Sequence, residues 1–224
     1  MTTTVGDSAP DLEPGLETDF DDAPSEWAPA ATRTIFTGWT LLIGGAVGLL
    51  ASFMLTLEYL HSLTDPDAAL LCDLNVFVTC QPAMGSSAAA VLGFPNIILG
   101  LVCFTVAVVS GVLVVARVKL PNWYFVGLQV GLIGAAVLVT YLQWYSAFEL
   151  RALCIWCMTI WAATIPSVAL TTIGNLAQGR LGRGGMRAGQ ALGSWAWVIV
   201  VIWYLAVVGL VLAGMWETIR LSMI

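Results

Sequence analysis

The sequence predicts an all-α integral membrane protein. Hydrophobic residues make up 59% of the 224-residue chain and charged residues only 10%, and the mean hydropathy is +0.89. A chain of this composition cannot keep most of its surface in water. A helix needs about 20 mainly apolar residues to cross the hydrocarbon core, and five stretches meet that length. They lie at about 37–60, 94–116, 123–147, 154–176 and 194–216.

The first 34 residues are predicted to form a disordered acidic tail on the cytoplasmic side. Residues 1–32 contain eight acidic groups, no basic group and four prolines. Chains of this composition bury too little apolar surface to fold. A cleavable signal peptide would instead begin with a basic region and a shorter apolar core, so we expect the first span to remain in the mature protein. No nucleic-acid partner is expected.

Basic residues give the expected orientation in the membrane, because Lys and Arg near the ends of spans are retained in the cytoplasm. Six of the eight lie on one side of the predicted bundle: Arg33, Arg117, Lys119, Arg180, Arg183 and Arg187. The other side has Arg151 and Arg220. We therefore expect a cytoplasmic N-terminus and an outer C-terminus, with residues 177–224 forming a cytoplasmic loop and a fifth span.

The segment 61–93 is expected to be an outer loop with structure of its own. It contains no Lys or Arg, it is long for a membrane loop, and its three aspartates keep it out of the bilayer. Residues 86–92 are rich in Ser and Ala and are followed by Gly93, which predicts a short helix that ends at this glycine. Such a helix would lie across the mouth of the bundle.

Two cysteine pairs fall on the same predicted side of the membrane. Cys72 and Cys80 lie in the outer loop, and Cys154 and Cys157 lie three residues apart at the start of the fourth span. A thiolate at a helix N-terminus is favoured by the helix dipole and by unpaired N–H groups. Because thiolates attack disulfides through mixed-disulfide intermediates, two pairs within reach of each other form a relay for two electrons. The pattern therefore predicts a membrane thiol oxidoreductase.

Two other interpretations of the cysteines stay open at this point. An isolated extracellular pair such as Cys72 and Cys80 is most often a structural disulfide. The CxxC spacing also occurs in zinc sites, and four cysteines together with His61 would supply enough ligands. We favour the relay and expect no metal, because structural zinc sites usually serve small soluble domains whereas this CxxC motif begins a membrane helix.

Together these features resemble the bacterial homologues of vitamin K epoxide reductase. The resemblance rests on Cys72-Asp73, on Cys80 eight positions after Cys72, on Ser86, on Phe94-Pro95-Asn96 and on Cys154-Ile155-Trp156-Cys157. It covers about residues 37–176 and implies a four-helix bundle around a quinone pocket within 35–176, with the 61–93 loop closing its outer end. The fifth span resembles the additional helix of some bacterial members.

The resemblance also implies an order for the cysteines. Cys72 would take electrons from a partner thiol, Cys80 would pass them to Cys154, and Cys157 would face the quinone. Many bacterial members carry a fused thioredoxin-like domain after the last helix, whereas this sequence ends eight residues past the predicted fifth span. We therefore expect the donor to be a separate thioredoxin-like protein.

Three further residues are expected at the quinone pocket from the resemblance. Asn96 matches the quinone-binding asparagine of the family, and Ser86 matches a loop serine near the transfer site. Trp161 stands where the animal enzymes have a tyrosine that contacts the quinone, and an indole N–H can donate a hydrogen bond but cannot accept one. From the residues alone, capping of the helix that begins there is the favoured explanation of Asn96. The resemblance favours the ligand role.

The sequence therefore predicts a quinone-dependent thiol oxidase in the bacterial cytoplasmic membrane. It would reoxidise the thioredoxin-like donor on the outer side and so support disulfide formation in exported proteins. The acceptor would be a membrane quinone of the menaquinone or ubiquinone type. A quinone epoxide reductase that uses the same cysteines is the first alternative. A metal-binding or thiol-sensing membrane protein without turnover is the second.

Overall fold

Helices account for nearly all of the part of the chain that the computed structural model describes, residues 27–65, 72–73 and 78–222. They are α1 (Trp27–Thr64), α2 (Gln81–Gly85), α3 (Asn96–Val115), α4 (Asn122–Tyr145), α5 (Ile155–Ala177), α6 (Met186–Gly193) and α7 (Ala196–Ser222). Within these ranges α1, α3, α4, α5 and α7 are long and apolar enough to cross a membrane. The predicted all-α membrane fold with five spans is confirmed.

The first helix begins earlier than the sequence suggested. The predicted tail extends to residue 34, but α1 starts at Trp27, so residues 27–34 are helical. Their composition accounts for the difference. Four of the eight residues, three alanines and Arg33, have high helix propensity. Pro29 lies in the first turn, where the missing backbone N–H would have no helical partner in any case. The rest of the predicted tail, residues 1–26, lies outside the described residues.

The bundle is organised around α1, which packs along α3 on one side and α5 on the other, while α5 also packs along α4. The sequence has two GxxxG spacings that predict close contacts between helices of the same chain. The prediction is confirmed in α1, where a Cβ on Gly44 would meet Ser167 of α5 and one on Gly48 would collide with Phe104 of α3. It is wrong for Gly127 and Gly131 of α4, which face open space.

The fifth span, α7, lies outside this four-helix arrangement, as predicted. It packs on α5 through a small apolar cluster that includes Ile165, Leu170 and Val200. The hydroxyl of Tyr204 donates a hydrogen bond to the Ala162 carbonyl, 2.5 Å away. Most of its remaining surface is apolar and exposed, as is expected of a helix that faces lipid on several sides.

The short helix predicted at 86–92 is present in a different form. The chain makes the five-residue α2, passes through Ser86 in an extended conformation, and then makes a 3-10 turn at Ser87–Ala90. Ser86 separates the two elements because its hydroxyl bonds back to the Ala83 carbonyl at 2.9 Å rather than capping the turn that follows. Gly93, with φ +83°, then redirects the chain into α3.

Candidate functional site

Three sulfur atoms meet at one end of the bundle, which we call the cysteine end. Cys72 and Cys80 form a disulfide, with their Cα atoms 5.8 Å apart. The Sγ of Cys154 lies 2.8 Å from the Sγ of Cys80. All three residues are fully buried, and they form a cluster with Leu55 of α1. A free thiol therefore lies in contact with a disulfide and is shielded from water.

Backbone pairing between two distant segments brings Cys80 to Cys154. Val78 and Leu153 form an isolated parallel bridge, and the N–H of Thr79 donates to the Leu153 carbonyl at 2.9 Å. Thr79 and Leu153 directly precede Cys80 and Cys154 in the sequence. The contact between the sulfurs is thus fixed by main-chain hydrogen bonds as well as by side-chain packing.

Asp73 organises the small loop that the disulfide closes. Its Oδ1 accepts a hydrogen bond from the Thr79 hydroxyl at 2.5 Å and from the Cys80 N–H at 3.2 Å. From the sequence, Asp73 was noted only as part of the Cys72-Asp73 motif and as one of the polar residues of the loop. Its role in the loop could have been suspected from its residue type, because aspartate side chains commonly accept hydrogen bonds from nearby backbone N–H groups in tight turns.

A tight reversal between α4 and α5 presents Cys154. The chain leaves α4 through a π-helical turn at Ser146–Leu150, and Arg151 then adopts a left-handed conformation with φ 50°. The Ser146 hydroxyl donates to the Ala152 carbonyl at 2.7 Å, which fixes the short connection. Cys154 follows as the N-terminal cap residue of α5, as the sequence predicted.

The thiol of Cys154 is set up to ionise. Its pKa is lowered from the ordinary value chiefly because the Cys157 side chain hydrogen-bonds to it, with the backbone N–H groups of Trp156 and Cys157 adding to the effect. Burial and the negative charge of Glu58 act in the opposite direction. The first turn of α5 thus stabilises a thiolate at Cys154, as expected for a cysteine at a helix N-terminus.

Cys157 lies one turn further along α5 and lines a large apolar cavity of about 1110 Å³. The cavity runs between α3 and α4, and the open faces of Gly127, Gly131 and Gly134 widen it on the α4 side. Cys157 is a free thiol and is partly buried. Among the four cysteines of the two pairs, Cys157 lines the cavity, whereas Cys72, Cys80 and Cys154 do not.

The three other predicted pocket residues, Ser86, Asn96 and Trp161, also line this cavity. Trp161 is buried in its wall. Ser86 lies at the mouth, with its hydroxyl already engaged by Ala83. The structure thus gathers the predicted residues around one cavity.

Asn96 has a structural function. Its Nδ2 donates to the Ala88 carbonyl at 2.6 Å, and its Oδ1 accepts from the Val91 N–H at 3.2 Å. Both bonds go to the 3-10 turn and its end, so Asn96 ties this turn to the start of α3. It does not cap its own helix, since the cap position is Pro95. An amide has two N–H donors and two acceptor positions, so one of each stays available to the cavity.

The 3-10 turn reaches the opposite wall of the cavity as well. Ser87 Oγ lies 3.4 Å from Tyr145 Oη at the end of α4. The turn therefore spans the mouth of the cavity from α3 to α4, and its residue Ala88 is buried. The sequence predicted an element across the mouth but not the residues that hold it.

Glu58 was not predicted from the sequence as a site residue. It is an acidic residue near the end of an apolar span, and it is only 7% exposed. Ionisable residues within spans are costly and usually mark a functional site, so the signal was present in the sequence. Among the described residues no group of three or more His, Cys, Asp or Glu side chains has a geometry that could hold a metal ion.

Comparison with known families gives a match to the vitamin K epoxide reductase family over residues 39–172, more than half of the chain. The chain belongs to the vitamin K epoxide reductase family. The match includes all four cysteines of the cysteine end together with Ser86, Asn96 and Trp161. No curated protein matches the chain.

Membership of the vitamin K epoxide reductase family makes this protein an oxidoreductase of the membrane. The family in general couples thiol chemistry to quinones. The free thiol in contact with a disulfide, and the second thiol on the wall of an apolar cavity, are the groups in this chain that such chemistry would use.

Proposed function

We propose that this protein is a quinone-dependent thiol oxidase that reoxidises a thioredoxin-like disulfide donor. The observation that carries the proposal is the 2.8 Å contact between Cys80 Sγ and Cys154 Sγ, with Cys157 beyond it on the cavity wall. A structural disulfide has no need of a free thiol at its sulfur. A contact of this kind is what thiol–disulfide exchange requires.

The proposed relay consists of two exchanges that balance in atoms and electrons. A donor dithiol reduces the Cys72–Cys80 disulfide and is itself oxidised to a disulfide, and the Cys80 thiolate then attacks an oxidised Cys154–Cys157 pair at Cys154. The bond between Cys80 and Cys154 forms, and Cys157 leaves as a thiolate. Cys72 next attacks Cys80, which restores the Cys72–Cys80 disulfide and releases Cys154. Two electrons have then moved from the donor to the CxxC pair.

The state of the four cysteines in the structure supports this relay, because it is the state reached when electrons have passed from the loop pair to the CxxC pair. Cys72 and Cys80 are bonded, while Cys154 and Cys157 are free thiols. The lowered pKa of Cys154 makes its thiolate a good leaving group from Cys80. The same property makes it a ready nucleophile when the CxxC pair is oxidised again.

The cavity fits a membrane quinone of the menaquinone or ubiquinone type. Its volume of about 1110 Å³ exceeds that of most small-molecule sites, and its walls are mainly apolar. The remaining N–H of Asn96 and the indole of Trp161 would hold the polar ring, and α3 and the glycine face of α4 would hold the apolar tail. When bound, a quinone supplies an acceptor for two electrons and two protons next to Cys157.

We further propose that the cysteine end faces the outside of the cytoplasmic membrane. Arg117, Lys119, Arg180 and Arg187 lie at the opposite end of the spans, whereas the cysteine end has Arg151 and Arg220. This distribution supports a cytoplasmic position for the more basic end. The donor would then be a dithiol protein of the exported compartment, where disulfides form and persist.

The function is tested with purified protein in lipid vesicles, dithiothreitol as the probe thiol and ubiquinone-1 as the probe quinone. We expect thiol-dependent quinone reduction that is lost in the Cys80→Ser variant. Faster turnover with a quinone epoxide than with the quinone would favour the epoxide reductase instead. Thiol oxidation without reduction of either acceptor would overturn both enzymatic proposals and leave a thiol sensor.

The orientation is tested with reporter cysteines at exposed positions of the two ends, because the native site cysteines are mostly buried. Glu149→Cys lies at the cysteine end and Lys119→Cys at the basic end, and both wild-type side chains are exposed. A membrane-impermeant maleimide applied to intact cells should label the first variant and should label the second only after lysis. The reverse pattern would place the cysteine end in the cytoplasm.

A further inference from the structure

One buried hydroxyl of the cavity wall has no hydrogen-bond partner in the part of the chain that the structure describes. Four buried side-chain polar atoms share this property there: Ser52 Oγ, Gln143 Nε2, Trp156 Nε1 and Thr171 Oγ1. Of these four residues only Ser52 lines the large apolar cavity. A buried polar group without a partner costs free energy. An unpaired hydroxyl on a cavity wall therefore points to a ligand that enters the cavity.

Two other hydroxyls of the cavity wall are satisfied within their own helix. Thr164 Oγ1 donates to the Ile160 carbonyl at 2.8 Å, and Ser167 Oγ donates to the Ala163 carbonyl at 2.7 Å. A bond of this kind, to the carbonyl four residues earlier, is a common arrangement for Ser and Thr inside a helix. Ser52 does not make it, so its hydroxyl is available to a group outside α1.

Ser52 lies close to the part of the cavity that contains Cys157. Leu55 is three residues further along α1, lines the cavity and belongs to the cluster against which Cys157 packs. Ser52 itself is fully buried and faces α3, where a Cβ built on Gly100 would lie 2.6 Å from its Oγ. The contact between α1 and α3 therefore fixes where the hydroxyl lies.

Asn96 and Gly100 give the distance of this hydroxyl from the other polar group on α3. They lie four residues apart on one face of the helix, and both line the cavity. Four residues of α-helix rise about 6 Å. The Ser52 hydroxyl, next to Gly100, thus lies about one helical turn deeper in the membrane than Asn96. Two groups at such a separation can reach the two carbonyl oxygens of a quinone, which lie at opposite edges of its ring.

We propose that the Ser52 hydroxyl donates a hydrogen bond to the quinone carbonyl further from Asn96, an assignment that rests on the proposed quinone-dependent function. Asn96 would hold the nearer carbonyl. A hydroxyl both donates and accepts, so the same contact suits a quinone carbonyl and a quinol O–H. Ser52 is thus a binding residue of α1, and neither electrons nor protons have to pass through it.

The first test measures binding without turnover, with fully oxidised protein, no thiol and ubiquinone-1 as the probe. The dissociation constant is obtained from the rise in unfolding temperature with quinone concentration. We expect Ser52→Ala to raise it about fivefold or more, because a buried carbonyl loses its donor. Ser167→Ala is the matched control, since it removes a cavity hydroxyl that is bonded within its own helix, and it should bind as the unaltered protein does.

A second test locates the contact on the quinone. Ubiquinone-1 that contains ¹³C at one or the other ring carbonyl is bound at saturation, and infrared difference spectra are recorded. A carbonyl that accepts a hydrogen bond absorbs at a lower wavenumber than a free one. Ser52→Ala should move one of the two labelled bands to higher wavenumber, Asn96→Ala should move the other, and Ser167→Ala should move neither.

The unfolding temperature without quinone separates binding from packing. Ser52→Ala should unfold at the same or a higher temperature than the unaltered protein, because it removes an unpaired buried hydroxyl. A lower unfolding temperature together with equal shifts of both carbonyl bands would indicate a packing role and overturn the inference. Unchanged binding and unchanged bands in Ser52→Ala would overturn it as well. Absence of quinone binding by the unaltered protein would overturn the proposed function and this inference with it.

Discussion

Replacing Cys157 with serine is expected to abolish quinone reduction and to accumulate a disulfide between Cys80 and Cys154. Cys157 is the relay thiol that lines the cavity, so no other relay sulfur can pass electrons to an acceptor held there. Cys154 then has no neighbouring thiol to pair with and stays in contact with Cys80, 2.8 Å away. The neighbouring thiol normally resolves a mixed disulfide, so its removal traps the intermediate.

The trapped species is measured by mass spectrometry of non-reduced peptides. The Cys72→Ser variant should accumulate the same crosslink, because it removes the thiol that releases Cys154 from Cys80. After oxidation with added diamide, the Cys72→Ser/Cys157→Ser double variant should contain the crosslink in nearly every molecule. Cys103→Ser keeps all four relay cysteines and should not accumulate it. A bond between Cys72 and Cys154 would reverse the roles of the loop cysteines.

Replacing Asn96 with alanine is expected to lower kcat/KM for the quinone about 5- to 150-fold, which corresponds to roughly 1–3 kcal/mol for a lost buried partner. Two effects contribute. The variant loses the amide that would hold the quinone, and it releases the 3-10 turn, whose Ala88 carbonyl and Val91 N–H lose their partners. The protein should stay folded, because the helices of the bundle do not depend on these bonds.

The two effects of Asn96 are separated by hydrogen exchange and by a second variant. Loss of the turn should increase amide exchange of residues 88–91 in the absence of quinone. Asn96→Asp retains an acceptor for the Val91 N–H but no longer has the amide donor, so it should restore part of the protection and little of the quinone kinetics. Unchanged quinone kinetics in a folded Asn96→Ala protein would leave Asn96 with the turn alone.

The number and type of the main helices were predictable from the sequence alone. A span is determined by about 20 consecutive apolar residues, and this is a local property that needs no knowledge of the rest of the chain. For the same reason the start of α5 at the CxxC motif and the four site cysteines could be named in advance. The exact start of α1 could not be predicted, because the helix-favouring alanines of residues 27–34 directly follow the acidic, proline-containing tail.

The path of the electrons depends on contacts that the sequence does not contain. Cys80 and Cys154 are 74 positions apart, and their contact results from the bridge between Val78 and Leu153. No spacing rule predicts a pairing between segments so far apart. The position of Gly127 and Gly131 could not be predicted either, because a GxxxG spacing is typical of packed helix interfaces. In this structure the same spacing lies in the wall of a cavity.

Glu58 and Asn96 show the same division between sequence and structure. The sequence contained an acid in an apolar span and an asparagine at a helix start, and each residue type has several ordinary functions. Only the tertiary structure buries Glu58 and brings Asn96 to the turn across the cavity. Helix formation follows from local composition, whereas the chemistry of a side chain follows from neighbours that folding brings from distant parts of the chain.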